Sequence, residues 1–218
     1  RLILPVGALE QHGPHLPVGT NVVIARRVAR AVSERLGILR APSFSYGVTF
    51  TGDPFKGPAG LRRKTFHRAI NELVGRWEDD GVKHFFVITA HRFEPHVEAL
   101  LMTPSGPSNT SVYDLYRIDV SDIVENDPDF EHAGELETSL VLHLSPDSVR
   151  VDQVRDYLPE GGRLRRYTRR RVPKAPPASG GVIGAPSLAS AAKGEAVFQR
   201  YVDVLCEAIS RDGGMIET

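Results

Sequence analysis

The feature that most constrains this fold is a set of short apolar runs separated by longer amphipathic segments. Residues 84–89 (His-Phe-Phe-Val-Ile-Thr) have almost no polar break, and residues 2–6 (Leu-Ile-Leu-Pro-Val) are apolar throughout. Strands buried on both faces have this composition, and they are typical of parallel sheets covered by two helix layers. The alternation therefore predicts an α/β fold, with a mainly parallel sheet flanked by helices on both faces.

Apolar spacing and turn residues predict the other elements. Helices with one apolar face are predicted at 22–36, 61–80, 132–144 and 196–209, and a further helix starts within 95–102. Further strands are predicted at 38–41 and 111–120, a loop at 43–60 and an irregular basic segment at 147–177. No repeat and no linker interrupts this order, so we expect a single domain over 1–218. Because Arg1 already lies in a predicted strand, we expect N-terminal residues to be missing.

Composition and charge exclude several classes of protein. Lys and Arg number 27, as do Asp and Glu, and this balance argues against a nucleic-acid or membrane partner. The single cysteine, Cys206, excludes an internal disulfide and a zinc site built on several thiolates. No apolar run approaches the roughly 20 residues that span a bilayer, and no signal peptide is visible. We therefore expect a cytoplasmic protein, and we interpret the arginine cluster at 163–171 as a solvated or subunit-facing surface.

Two histidine-bearing loops follow predicted strands. Glu10 and His12 lie two residues apart after the first strand, so in an extended loop they point to the same side. A carboxylate and an imidazole placed in this way suit Zn²⁺ or Mn²⁺, whereas a polar loop with a capping glutamate is the simpler interpretation. His91 follows the run 84–89, and ligands of such sheets bind beyond the carboxyl ends of the strands. A histidine that caps the following turn is the simpler interpretation there.

Residues 131–139 (Glu-His-Ala-Gly-Glu-Leu-Glu-Thr-Ser) place three carboxylates and a histidine at the start of a predicted helix. Acidic residues are favoured near a helix N-terminus by the helix dipole, which explains part of this pattern. Glu137 lies further inside, one residue after Leu136 and three before Leu140. A carboxylate on an otherwise apolar helix must be exposed or paired, and a metal ion is one such partner.

Three segments together resemble the creatininase (creatinine amidohydrolase) family. Residues 4–17 (LPVGALEQHGPHLP) match its opening signature, and residues 132–139 (HAGELETS) match its H-A-G-x-x-E-T-S segment. Residues 184–195 (GAPSLASAAKGE) match its late G-x-P-x-x-A-S-x-x-K-G-E stretch. The three segments occur in the family's order and spacing, so the chain is identified as a divergent member of that family.

The resemblance implies a metal-dependent hydrolase of cyclic amides and related C–N bonds, with two metals in a cleft. It implies five metal ligands, which are Glu10, His12, Asn21, His91 and Glu137. Among these, Glu10 and His12 serve one metal each, and position 21 bridges both. The resemblance also implies that Glu131 and His132 form the catalytic pair beside the cleavable bond. The expected cofactor is Zn²⁺, Mn²⁺ or Fe²⁺, one or two per chain, and the expected partners are a small-molecule substrate and further copies of the chain in a homo-oligomer, a hexamer in many members.

Three departures from the family pattern fall on this expected site. Asn21 stands where the family has a bridging Asp, and an amide offers one neutral oxygen instead of two charged ones. Residues 89–94 read TAHRFE instead of N-G-H-G-G-N, so Arg92 adds a positive charge and Phe93 stands where creatininase has a glutamate ligand. The loop at 51–58 lacks the family's histidine. We therefore expect a weakened second metal site and a substrate other than creatinine.

Three functions follow from these features. The first is hydrolysis of an amide by a metal-activated water, with Glu131 or His132 moving the proton. The second is a degenerate family member, whose weakened site binds a ligand or catalyses amide formation or ring rearrangement. The third is a scaffold in a larger assembly. The metal content of the purified protein separates the first two.

Overall fold

The computed structural model describes residues 1–50, 55–103, 108–128, 131–158 and 176–212. Within them, four strands form one parallel sheet in the order β2-β1-β3-β4. The strands are β1 (Leu2–Val6), β2 (Leu39–Arg40), β3 (His84–Thr89) and β4 (Asn109–Asp114). In the register of β1 with β3, Val6 lies opposite Thr89. The carboxyl ends of these two strands are therefore side by side.

The described helices cover both faces of this sheet. They are α1 (Thr20–Leu36), α2 (Arg63–Asp79), α3 (Glu94–Leu101), α4 (Glu135–Leu144) and α5 (Ala191–Asp212). Successive strand residues point to opposite faces. Ile3 and Phe86 accordingly join an apolar cluster with α1, α4 and α5, whereas Leu4 and Val87 join a second cluster with α2 and α3. These layers confirm the predicted α/β fold with helices on both faces.

The last strand is shorter than predicted. A strand was expected over 111–120, but β4 ends at Asp114 and a 3₁₀ turn follows at Leu115–Arg117. The Asp114 side chain accepts a hydrogen bond from the backbone N–H of Tyr116 at 3.1 Å, which starts the turn. The turn buries Leu115 and Tyr116 against the α1, α4 and α5 cluster.

Helix α4 begins three residues later than predicted, and α5 begins five residues earlier. Ala133 has a φ of 52°, which is incompatible with a helix, so Glu131 and His132 lie in the connection that precedes α4. At the start of α5, Gly194 lies against the Ser139 carbonyl of α4, where a side chain would not fit.

Some expectations concern residues outside the described ranges. The arginine cluster at 163–171 and residues 51–54 of the altered loop are among these. The described residues form one α/β domain, and its extension over all of 1–218 stays a prediction. In the described part of the chain, no helix has the length and apolar character needed to cross a membrane.

Candidate metal centre

The loops after β1 and β3 meet at the carboxyl edge of the sheet. Glu10 Oε2 lies 3.1 Å from His91 Nδ1, as the parallel pairing of the two strands predicts. Asn21 reaches the same point from the first turn of α1, and its Nδ2 lies 3.2 Å from Glu10 Oε2 and 3.0 Å from His91 Nδ1. Asn21 and His91 are buried. We call these three residues the first cluster.

The spacing within the first cluster suits a shared metal ion. His91 Nε2 lies 2.8 Å from the carbonyl oxygen of Val48, so Nε2 carries the hydrogen and Nδ1 keeps its lone pair. Zinc lies about 2.1 Å from nitrogen and oxygen ligands, so two ligand atoms are about 3.4 Å apart in a tetrahedral site and about 3 Å apart where they meet at right angles. The three distances between these side-chain atoms are 3.0–3.2 Å. Position 21 would contribute its amide oxygen instead of the nitrogen that now donates to Glu10 and His91.

A second cluster consists of His12, His132 and Glu137, beside the first. His12 Nδ1 donates to the backbone carbonyl of Glu10 at 3.0 Å. Its Nε2 is buried, lies 3.5 Å from Glu137 Oε1 and has no hydrogen-bond partner among the described residues. The His12 and His132 rings are 4.7 Å apart at their centroids, and ligand atoms of Glu10, His12 and His132 lie within 4.8 Å of one another. An unpartnered, buried imidazole nitrogen beside two carboxylates is what a metal ligand requires.

Glu137 is held in place by two hydrogen bonds. Tyr116 donates its hydroxyl to Oε1 at 2.6 Å, and the backbone N–H of Ala133 donates to Oε2 at 2.6 Å. The left-handed backbone at Ala133 aims that N–H at the carboxylate. The sequence predicted that Glu137 is either exposed or paired, and the structure shows it buried and paired. Tyr116 was not identified from the sequence, because it was assigned to a strand.

The charges of the two clusters compensate one another. Burial opposes ionisation of Glu10, but the nearby His91 and His132 hold the pKa of its carboxyl well below its usual range. Burial alone would lower the pKa of His12, but the Glu137 and Glu10 carboxylates outweigh it and raise that pKa to about 9. His12 likewise outweighs burial at Glu137 and keeps its pKa well below the usual range. A positive charge between Glu10 and Glu137 is therefore favoured, whether a proton or a metal ion supplies it.

Of the expected catalytic pair, His132 belongs to the second cluster and Glu131 lies beside it. Oε1 of Glu131 accepts the backbone N–H groups of Leu136 and Glu137 at 3.0 and 3.2 Å, which caps α4. Burial raises the pKa of Glu131 to about 8, against the opposing effect of Arg92 and these amides. His132 Nε2 lies 2.7 Å from the backbone carbonyl of Gln11, which orients the ring. The catalytic role of the pair stays a prediction.

Two of the residues that follow His91 lie next to the clusters: the Phe93 ring centroid is 6.0 Å from that of His91, and Arg92 stacks on Tyr116, which bonds Glu137. Phe93 packs against the apolar cluster of α2 and α3, and Glu94 is exposed in the first turn of α3. No hydrogen bond or ion pair among the described residues joins Glu94 to the first or second cluster. Arg92 turns to the opposite face, where its guanidinium lies 4.1 Å from the centre of the Tyr116 ring.

Comparisons with known proteins identify the family of this chain. A family model described as creatinine amidohydrolase (creatininase) matches residues 1–209. The creatinine amidohydrolase of Pseudomonas putida is 28% identical over 97% of this chain and 89% of its own. The mycofactocin precursor peptide peptidase of Mycolicibacterium smegmatis is 30% identical over 96% of this chain and 84% of its own. The chain therefore belongs to the creatininase family.

Solved structures support the same fold. A crystal structure of creatinine amidohydrolase superposes with a TM-score of 0.81 at 27% identity, covering 97% of this chain and 89% of that one. Creatininase structures of similar likeness include a Zn-Zn form and a manganese form. At the level of the family, these matches support a metal-dependent amide hydrolase. The donor set of the two clusters fits such an ion, since it offers two carboxylates and a buried imidazole nitrogen without a partner.

Proposed function

We propose that this protein is a metal-dependent amide hydrolase whose ion is held by Glu10, Asn21, His91, His12 and Glu137. The single observation that carries the proposal is the buried Nε2 of His12, which faces Glu137 and has no hydrogen-bond partner among the described residues. Leaving such a nitrogen unpaired is costly in a folded protein, and a metal ion would satisfy it. Zn²⁺ and Mn²⁺ are the ions that this donor set favours, with Fe²⁺ as a further candidate.

The chain's own residues would orient the ligands and move the proton. A bound ion of this kind lowers the pKa of a water and polarises an amide carbonyl. Val48 fixes the His91 ring and Tyr116 fixes Glu137. His132 Nε2 lies 2.7 Å from the Gln11 backbone carbonyl and 3.0 Å from the Gln11 side-chain nitrogen; with the hydrogen on Nε2, the lone pair on Nδ1 would accept a proton from water. Glu131, with a pKa of about 8, would carry a proton for the leaving nitrogen.

The substrate we propose is an amide other than creatinine. The resemblance favours a cyclic amide, whereas the peptidase relative favours a peptide bond. Both contain the same C–N bond beside a carbonyl, so the chemistry of the site is common to them. A screen of lactams and short peptides with the Zn²⁺- and Mn²⁺-loaded protein distinguishes the two classes.

The test of the proposed function is a joint measurement of metal content and hydrolysis. His12→Ala should lose the bound metal and the turnover together, because it removes the unpartnered nitrogen. His84→Ala is the matched control, since His84 lies at the opposite end of β3. Retention of full activity by His12→Ala would refute the mechanism.

A second candidate function is a degenerate, non-hydrolytic family member, and one observation favours it. The Asn21 amide already links Glu10 to His91 by hydrogen bonds, which a metal ion would otherwise do. Such a protein would bind a ligand or join an amide without a tightly held ion. Absence of metal after loading with Zn²⁺ and with Mn²⁺ would favour this candidate over hydrolysis.

We also propose that the chain acts on a small molecule as a homo-oligomer, with a hexamer as the state that the family resemblance implies. Light scattering after size-exclusion chromatography measures the mass directly. A monomeric mass near 24.0 kDa would contradict this proposal.

A further inference from the structure

A cavity of about 380 Å³ lies beside the second cluster, on the side of the sheet covered by α4 and α5. Its wall includes Arg92, Tyr116, Val120, Leu136 and Tyr201. Tyr116 belongs to both places, because its ring lies under the Arg92 guanidinium and its hydroxyl bonds Glu137. The Tyr116 side chain therefore borders both the cavity and the candidate metal ligands.

Two polar groups in this cavity lack partners. The Tyr201 side chain is fully buried, and its hydroxyl has no hydrogen-bond partner among the described residues. The Arg92 Nε is also buried without a partner, and no hydrogen bond or ion pair joins its guanidinium to the described residues. A guanidinium is always charged, and against the effect of burial the nearby Tyr116, Glu131 and Glu137 raise its pKa further, although neither carboxylate forms an ion pair with it among the described residues. The cavity thus presents a guanidinium without a hydrogen-bond partner among the described residues, and an unused hydroxyl donor.

We propose that this cavity binds the carboxylate of the substrate, so that the enzyme prefers amides that carry a carboxylate group. The proposal deepens the proposed function and rests on it, because the ligand of the cavity is a substrate only if the protein hydrolyses amides. A guanidinium matches a carboxylate with two parallel hydrogen bonds, and a buried tyrosine hydroxyl adds a third. Stacking on Tyr116 leaves the edge of the guanidinium, which carries its N–H groups, available for the ligand.

The other residues of the wall favour a carboxylate over a phosphate. Arg117, Asp119 and Asp127 also line the cavity, and together these three side chains add one net negative charge, which disfavours an anion that carries two negative charges. Val120 and Leu136 add apolar surface, which suits a short aliphatic group next to the charged one. A small amide with one carboxylate and an apolar side chain satisfies both parts of the wall.

The test compares two probes that differ only in charge, N-acetylvaline and N-acetylvalinamide. Calorimetry with protein freed of metal by a chelator isolates the cavity, since no ion is then available to bind the carboxylate. We expect the wild type to bind N-acetylvaline at least tenfold more tightly than its amide, as for a hydrogen bond between charged groups. Equal binding of the two probes, or binding of neither, would overturn the proposal.

Two variants assign the preference to the named groups. Arg92→Met should reduce the tenfold preference to about one, and Tyr201→Phe should weaken N-acetylvaline binding severalfold by removing only a hydroxyl. Arg63→Met is the control, because Arg63 is exposed on α2 and pairs with Glu98 on α3, which both cover the other face of the sheet. An unchanged preference in Arg92→Met and in Tyr201→Phe would overturn the proposal, and Tyr201→Phe keeps the test valid if Arg92→Met fails to fold.

The same experiment separates this proposal from the proposed function. A carboxylate preference in a protein that hydrolyses no amide when loaded with metal would refute the hydrolase and leave the cavity as a binding site. If neutral and carboxylate-bearing amides bind equally and are hydrolysed at equal rates, the cavity does not select a carboxylate. The proposed hydrolase function would still stand. A lower KM for carboxylate substrates that rises in Arg92→Met would support both.

Discussion

Replacing Asn21 with Asp tests whether position 21 has exchanged a metal ligand for a hydrogen-bond donor. In the structure, the Asn21 amide donates to Glu10 Oε2 at 3.2 Å and lies 3.0 Å from His91 Nδ1. A carboxylate at this position loses both interactions and places a negative charge against that of Glu10. In the presence of a divalent ion, the same carboxylate becomes a charged ligand.

The buried charge destabilises the folded protein and metal binding stabilises it, so the free energy of unfolding depends on the size of each effect with and without metal. Without metal, an uncompensated charge in this buried place lowers the free energy of unfolding by about 3–5 kcal/mol near pH 8. The loss is smaller at acidic pH, where the new carboxyl group is protonated and donates again. With metal at about a hundred times its dissociation constant, binding stabilises the folded state by about 2.7 kcal/mol. Tighter binding by Asn21→Asp should therefore recover most of its loss.

Urea unfolding with a chelator and with excess Mn²⁺ measures both effects on the same protein. We expect Asn21→Asp to be less stable than wild type with the chelator and to gain more stability from Mn²⁺. Asn71→Asp is the matched control, because Asn71 bonds His67 on α2, away from both clusters. If Asn21→Asp matches wild type under both conditions, position 21 does not face a metal ion and the reasoning is wrong.

Three further predictions address Glu137, His12 and the contact between α4 and α5. Tyr116→Phe removes the hydroxyl that holds Glu137 at 2.6 Å, so metal affinity should fall about 10–100-fold with the fold retained; an unchanged affinity in chelator competition would contradict this. Because the pKa of His12 is raised to about 9, metal binding must displace its proton, and affinity should rise up to about tenfold per pH unit between pH 6.5 and 9. The same shift makes the metal-free protein less stable as pH rises through that window, since the folded state holds the proton more tightly than the unfolded state. If metal affinity and metal-free stability both stay constant between pH 6.5 and 9, these two predictions are wrong. Gly194→Ala should cost about 1–3 kcal/mol of unfolding free energy, because the new methyl group meets a carbonyl of α4, whereas Gly75→Ala on α2 has open space and should stabilise by about 0.5–1 kcal/mol.

The sheet and its functional edge were predictable because each depends on one local rule. An unbroken apolar run predicts a doubly covered strand, and both β1 and β3 lie where that rule placed them. Parallel pairing then brings the loops that follow these strands together, which explains the contact of Glu10 with His91. Both predictions can be made without knowing the conformation of any side chain.

The parts that the sequence did not predict depend on contacts between distant residues. The end of β4 depends on the Asp114 side chain, which replaces a strand hydrogen bond with a turn. That turn delivers Tyr116 to Glu137, 21 residues later in the chain, and no spacing pattern identifies such a pair. The direction of Arg92 is equally hidden, because the residues after His91 depart from the family pattern.

The number of metal ions follows from the charges that the clusters retain. Glu10 and Glu137 both have lowered pKa values and are ionised at neutral pH, whereas burial raises the pKa of Glu131 to about 8 and keeps it largely protonated there. Two carboxylates balance one divalent ion. A second ion would need the bridging carboxylate that Asn21 has replaced, since an amide oxygen adds no charge. We therefore expect one tightly bound ion per chain, and a second equivalent only in Asn21→Asp.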